Sequence, residues 1–198
     1  MTAVPVGSAV FLDRDGTLIR DVGYLRNVEK LEILPRVPQG LTLLQNCGFK
    51  LIVVTNQSAV ARGWLSEVDL RRIHDALAAR LARCGIVLDA TYYCPHHPVD
   101  GTGIYRMECT CRKPRTGMIE RARADLGIDP TVSYVVGDQE SDVELAKSVG
   151  AIAVRIGTAN PGISEVDRAE PVVVKDLLEA AHWIVEDARL NGKRAHLL

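Results

Sequence analysis

Residues 9–18 read Ala9-Val10-Phe11-Leu12-Asp13-Arg14-Asp15-Gly16-Thr17-Leu18. Four apolar residues run without a spacer into two carboxylates set two apart, followed by a glycine. A short, continuous apolar run is the pattern of a strand covered on both faces, as in a parallel sheet. Asp13 falls where that strand ends, so its carboxylate enters the crevice at the carboxyl edge of the sheet, where ligands of open α/β sheets bind. Gly16 permits the turn that brings Asp15 into the same space. Two carboxylates so placed can divide labour. One stays ionised, binds a hard cation and attacks; the other gives up a proton as an acid and then takes one as a base. Asp and Gly are also common in ordinary polar turns, so the residues at the ends of the other strands must decide.

Five more short runs share the character of the first: Leu51–Val54, Thr91–Tyr93, Tyr134–Val136, Ile152–Val154 and Val172–Val174. Between them the spacing predicts helices over Pro38–Cys47, Ser66–Cys84, Thr116–Leu126, Gln139–Val149 and Lys175–Leu190. Ser66 is placed to cap its helix, and Gly48, Gly85, Gly127, Gly150 and Gly192 to end theirs. Strand followed by helix, repeated with short joints, predicts a doubly wound, Rossmann-like α/β domain spanning residues 1–198. The segment from Tyr93 to Arg115 has no periodicity and is predicted to be a long functional loop.

Polar residues stand at the ends of the other strands as well. Thr55-Asn56-Gln57-Ser58 comes after the second, and a hydroxyl and amides there can donate to phosphoryl oxygens. Gly137-Asp138 comes after the fourth, with Asp142 four residues on, and Asp138 suits Mg²⁺. Arg112-Lys113-Pro114 precedes a helix, where Lys113 can neutralise phosphoryl charge and hold the nucleophile. Thr55 could merely cap a helix, Asp138 line a solvated turn and Lys113 sit on the surface. Their joint occurrence in this order makes coincidence improbable.

The order DxDGT, a Thr after a strand, a Lys, then GDxxxD resembles the haloacid dehalogenase (HAD) superfamily of phosphotransferases over Phe11 to about Val154. The resemblance implies that Asp13 is the nucleophile and an Mg²⁺ ligand. Asp15 becomes the general acid and base and binds Mg²⁺ through its carbonyl. Thr55 and Asn56 hold the phosphoryl group, Lys113 pairs with Asp13 and the phosphate, and Asp138 binds Mg²⁺ with support from Asp142. Gln139 takes no assigned role.

Five cysteines, an odd number, argue against a disulfide framework. Cys94-x-His96 and Cys109-x-Cys111 close a four-ligand set of three sulfurs and one imidazole, which Zn²⁺ binds tetrahedrally as a structural site. His97 competes for the imidazole place, and the resemblance points to His96. Cys47 and Cys84, each just before a helix-ending Gly, are expected to be small packing residues.

FLDRDGTL, VVTNQSAVARG, YYCPHHP, CTCRKPRTGM and GDQESD narrow the resemblance to the D-glycero-D-manno-heptose 1,7-bisphosphate 7-phosphatases. That family makes precursors of nucleotide-activated heptose for surface polysaccharide, and its members lack a cap domain. The gaps here, Leu18–Leu51 and Thr55–Asp138, leave no room for a large cap. Specificity then falls to Asp21–Arg26, Ser58–Arg62 and the zinc loop, about residues 93–115. Asn56, Gln57, Ser58 and Arg62 are expected to meet the substrate, and Arg112 to bind the phosphate that does not react. Histidinol-phosphate phosphatases share the zinc ligands but have a shorter loop than Pro98–Glu108. Polynucleotide 3′-phosphatases share the TNQ and Lys-Pro segments but would be expected to carry a basic groove. A non-catalytic phosphosugar binder would need a broken catalytic set, and a kinase with a phosphate-binding GxxxxGK[ST] loop is excluded by its lack.

Composition agrees with a small-molecule enzyme. With 24 basic against 25 acidic residues and no block of like charge, nothing favours a nucleic-acid or anionic-membrane partner. No leader pattern opens the chain. The expectation is a cytoplasmic monomer acting on a small phosphorylated sugar.

Overall fold

β-branched and aliphatic runs that are apolar at every position cannot leave one face in water, and each becomes a strand with both faces covered. The computed structural model describes residues 4–157 and 170–195, with side chains to Leu190. The expectation of no leader rests partly on residues 1–3, outside that range. Six strands form one sheet: β1 (Ala9–Leu12), β2 (Lys50–Asn56), β3 (Ala90–Cys94), β4 (Tyr134–Gly137), β5 (Ile152–Ile156) and β6 (Val172–Val174). All pairings are parallel, in the order β3-β2-β1-β4-β5-β6.

The helices are α1 (Val37–Asn46), α2 (Ser58–Ala61), α3 (Glu67–Ala82), α4 (Gly117–Leu126), α5 (Glu140–Val149) and α6 (Leu177–Ala195). Alternate residues of the strands divide between two cores. Val10, Leu12, Leu51 and Val53 pack against α1, α3 and α6. Ala9, Phe11, Ile52 and Val54 pack against α4 and α5. Among the described residues no inserted domain stands between the strands, and the loops alone form the rim of the crevice.

Some expectations are corrected. α6 runs on through Gly192 to Ala195; a glycine inside a helix costs about 1 kcal/mol but does not by itself end it. Cys84 is exposed and lies outside the two cores, whereas Cys47 is half-buried beside the α1–α3–α6 core. The short helix α2 is too brief to carry a periodic signal, and the sequence gives no warning of it.

Candidate active site

The chain order reverses between β1 and β4, which lie side by side although β2 and β3 come between them in the chain. That is a topological switch point, where the loops at the carboxyl ends of neighbouring strands part and leave a crevice. The backbone N–H of Asp13 donates to Val136 O at 2.9 Å, so the end of β1 is tied to the end of β4. Asp13 therefore stands beside Gly137-Asp138. Gly16 has φ +78°, and a Cβ there would collide with the Asp138 carboxylate. A Cβ on Gly137 would collide with the carboxylate of Asp142. Both glycines let backbone approach a carboxylate as closely as the site requires.

Carboxylate oxygens of Asp13, Asp138 and Asp142 converge within 4.8 Å of one another. Lys113 reaches them from the far side of the loop that ends the zinc segment. Its Nζ donates to Asp13 Oδ1 at 2.6 Å, Asp142 Oδ1 at 2.7 Å and Val54 O at 3.1 Å. Asn56 fixes the Lys113 backbone: its Oδ1 accepts from Lys113 N at 3.0 Å, and its Nδ2 donates to Lys113 O at 3.2 Å. Asn56, expected at the phosphoryl group, thus braces the lysine. Asp142 accepts from the Gln139 backbone N–H through its second oxygen and caps α5. With both oxygens engaged, it supports the centre rather than facing it.

Three buried or half-buried carboxylates against one ammonium leave an excess of negative charge. Burial pushes Asp13 up to about 6 against the pull of Lys113, and burial likewise raises Asp138. Burial works against the Lys113 ammonium too, but Asp13 and Asp142 outweigh it and hold its pKa above the ordinary value. Asp138 Oδ1 is buried without a hydrogen-bond partner. An unpartnered carboxylate oxygen beside an anionic cluster of hard oxygen donors fits a divalent cation such as Mg²⁺.

Asp15 is held differently. Its oxygens accept three hydrogen bonds from Arg14, at 2.8–3.1 Å, and one from Gln57 Nε2 at 2.9 Å. Gln57 also donates to Thr55 Oγ1 at 2.8 Å, which leaves the Thr55 hydroxyl proton free to point elsewhere. Gln57, read from sequence as a substrate contact, is buried in this network. Nothing in the local sequence singles out Arg14. Its burial follows from the pairing with Asp15 and from His74 of α3, and a local pattern cannot show either.

The four expected zinc ligands come together. Cys94 and Cys109 sulfurs lie 3.5 Å apart, Cys109 and Cys111 3.3 Å, and His96 Nδ1 is 3.3 Å from Cys111. A tetrahedral ion with bonds of about 2.3 Å would hold sulfurs about 3.8 Å apart, so little movement is needed. The hydrogen bond from Cys94 draws the Cys111 thiol down to about 5, while the same bond and burial push Cys94 up. His97 is outside the cluster: its Nδ1 accepts from the backbone of Asp100 at 2.9 Å.

The remaining expected contacts lie on the rim. Arg112 Nη1 donates to Ser58 Oγ at 2.9 Å and His96 O at 3.1 Å, linking α2 to the zinc loop. Arg62 pairs with Asp100 at 2.6 Å and lies over the rings of Tyr24 and Trp64. A cleft of about 230 Å³ between Arg112, Lys113 and the outer zinc loop opens beside these groups. A larger cleft of about 450 Å³ along β3 is lined by none of the carboxylates of the site.

Comparison with known proteins agrees with this geometry. The HAD-hydrolase-like family matches residues 110–180. The D-glycero-beta-D-manno-heptose-1,7-bisphosphate 7-phosphatase of Haemophilus ducreyi is 39% identical over 180 residues, covering 89% of this chain and 97% of that protein. The protein of the same name from Escherichia coli K12 is 39% identical over 173 residues, covering 86% and 90%. The crystal structure of D,D-heptose 1,7-bisphosphate phosphatase from B. bronchiseptica, complexed with magnesium and phosphate, superposes with a TM-score of 0.75. It is 28% identical and covers 91% of this chain and 99% of that one.

Proposed function

Since the chain belongs to the D-glycero-beta-D-manno-heptose-1,7-bisphosphate 7-phosphatase family of HAD-like hydrolases, we propose that it removes the 7-phosphate of that heptose bisphosphate through an aspartyl-phosphate on Asp13. The observation that carries the reading is the convergence of Asp13, Lys113 and Asp138 at the β1–β4 switch point. It supports a site built for in-line attack on phosphorus.

Asp13 attacks phosphorus while the bond from phosphorus to O7 breaks. Asp15 gives a proton to the departing O7. The Lys113 ammonium and the Thr55 hydroxyl meet the charge on the transferring oxygens. Asp15 then takes a proton from water, which attacks the aspartyl-phosphate and frees Asp13. Asp13, the Asp15 carbonyl and Asp138 are the groups that would hold Mg²⁺, with Asp142 behind Lys113. When bound, the ion supplies Lewis-acid stabilisation of the phosphoryl charge. The relatives named above act on a small phosphorylated heptose, and we read this chain as acting on the same class of substrate as a monomer. Among the described residues no helix is long and apolar enough to cross a membrane. An odd count of five cysteines, three of them read as metal ligands, suits a reducing compartment such as the cytoplasm. A substrate panel of heptose bisphosphate, fructose bisphosphate, histidinol phosphate and a 3′-phosphorylated oligonucleotide tests the assignment. The heptose ester should give the highest kcat/KM, and a preference for any other would replace it.

Cys94, His96, Cys109 and Cys111 would hold Zn²⁺, and the ion would order a loop with little apolar content of its own. Elemental analysis of protein purified without chelators should find about one zinc per chain. His96→Ala should lower that content and His97→Ala leave it unchanged; the reverse would reassign the imidazole.

Arg112 is our candidate for binding the unreactive C1 phosphate, since its neighbour Lys113 is engaged with Asp13 and its guanidinium matches phosphate geometry. A charge-assisted hydrogen bond is worth about 1.5–3 kcal/mol, so Arg112→Ala should cost roughly 10–150-fold in kcat/KM for the bisphosphate. A monophosphate should lose far less. An unchanged ratio between the two substrates would mean that Arg112 only joins Ser58 to the zinc loop.

A further inference from the structure

The side chain of Arg14 is 1% exposed although it carries a charge and lies between the two catalytic carboxylates in sequence. Burying a guanidinium is costly unless its donors are matched. Here the matching is close. Nε and Nη2 grip Asp15, Nη2 also donates to Gln57 Oε1 at 2.9 Å, and Nη1 lies 3.2 Å from His74 Nε2. A guanidinium only donates, so Nε2 of His74 must accept. His74 is then the neutral tautomer with its proton on Nδ1. Burial, and Arg14 itself, hold His74 down to about 3, in keeping with that assignment.

Gln57 closes the ring. Its Oε1 faces the Arg14 donor and its Nε2 faces Asp15 and Thr55, so its amide orientation is fixed by its neighbours. The result is a clamp: His74 sets Arg14, and Arg14 and Gln57 set Asp15. We propose that Arg14, backed by His74, is a positioning residue that aims the Asp15 carboxylate for proton transfer to the leaving oxygen. The proposal rests on the acid role given to Asp15 above. A purely structural Arg14 would fill the space between β1 and α3 without any bearing on the leaving group.

The leaving group separates the two cases. Transfer to an alkoxide such as a sugar oxygen needs the proton; transfer to an activated aryl oxide needs it far less. For Arg14→Lys, which keeps the charge and loses the fork, kcat/KM for the sugar phosphate should fall about 10²-fold, at the lower end of the range for general acid catalysis. For the aryl phosphate it should fall less than about 3-fold. In an Asp15→Ala background, Arg14→Lys should cost almost nothing more, because it acts only through Asp15. His74→Phe should show the same selective loss, about 10-fold, and His74→Gln, which restores an acceptor near Nε2, should recover it. Equal losses on both esters, or a full further loss in the Asp15→Ala background, would overturn the proposal. Asp15→Ala alone serves as control. If it slowed both esters alike, the acid role of Asp15 would fail and the proposal with it, whereas the expected selective loss leaves Arg14 to be judged by its own variants. Should Arg14→Lys not fold, the pair of His74 variants decides: no selective loss in His74→Phe, or no recovery in His74→Gln, would overturn it.

Discussion

Asp13→Asn is expected to abolish turnover, by about 10⁴-fold or more, while leaving the fold intact. Loss of a covalent nucleophile removes the step itself rather than one stabilising contact, which puts it among the largest effects in mutant kinetics. Asn keeps the shape of Asp, and its Oδ1 can still accept from Lys113. It has no negative charge for a cation and is a poor nucleophile toward phosphorus. Stability should respond in a characteristic way. In the folded, metal-free protein Asp13 is raised from 3.8 to about 6 by burial, so between those values the native state binds more protons than the unfolded chain. Metal-free stability therefore falls as pH rises through that window. The Asn variant cannot titrate there and should lack that component. Circular dichroism melts across pH, with phosphate release on the same samples, check both halves. Activity above a small fraction of wild type would end the covalent mechanism.

Lys113→Met should be the most destabilising single change in the site. The ammonium is nearly fully buried and lies 2.6 Å from Asp13 and 2.7 Å from Asp142. Met fills much of the volume but leaves two carboxylates buried side by side with no counter-charge. Breaking a buried pair in this way costs about 3–5 kcal/mol. Activity should fall about 10²–10³-fold as well, the usual range for removing one preorganised group that meets transition-state charge. Urea unfolding measures the first and steady-state rates the second. A stability loss under about 1 kcal/mol would show that the Lys113 ammonium is not needed to balance the two buried carboxylates. Asp13→Asn combined with Lys113→Met should recover part of the stability, because one of the two stranded charges is gone.

Much of this is legible in the sequence because each strand announces itself. Runs such as Leu51–Val54 are apolar at every position, and the first one or two residues after such a run fall at one sheet edge. Asp13, Thr55 and Asp138 follow from that rule. The contacts between them do not: β1 and β4 are neighbours only through the sheet order, and the order comes with the family resemblance. What escapes is the inner layer. Gln57 looks like a substrate contact in a Thr-Asn-Gln-Ser run, yet its amide lies between Arg14, Asp15 and Thr55. Arg14 sits between two acids that draw the eye, and its partner His74 lies 60 residues away on an amphipathic helix, where a histidine is usually a core residue. Asn56 turns from phosphoryl binder to brace because the loop carrying Lys113 comes back against β2. Such long-range polar pairings leave no periodic trace. The zinc ligands are the opposite case, since thiol and imidazole spacing is itself the signal, and the structure separates His97 from His96 by its hydrogen bond to Asp100.

On the proposed reading, this chain takes the phosphate from C7 of the heptose and leaves the one at C1. Phosphorus NMR of the reaction with Mg²⁺ and D-glycero-β-D-manno-heptose 1,7-bisphosphate tests it most directly. Loss of the C7 phosphomonoester signal, growth of inorganic phosphate in equal amount and survival of the anomeric phosphate signal is the predicted result. Survival of the C7 ester, with the anomeric signal lost or with no phosphate released, would contradict it.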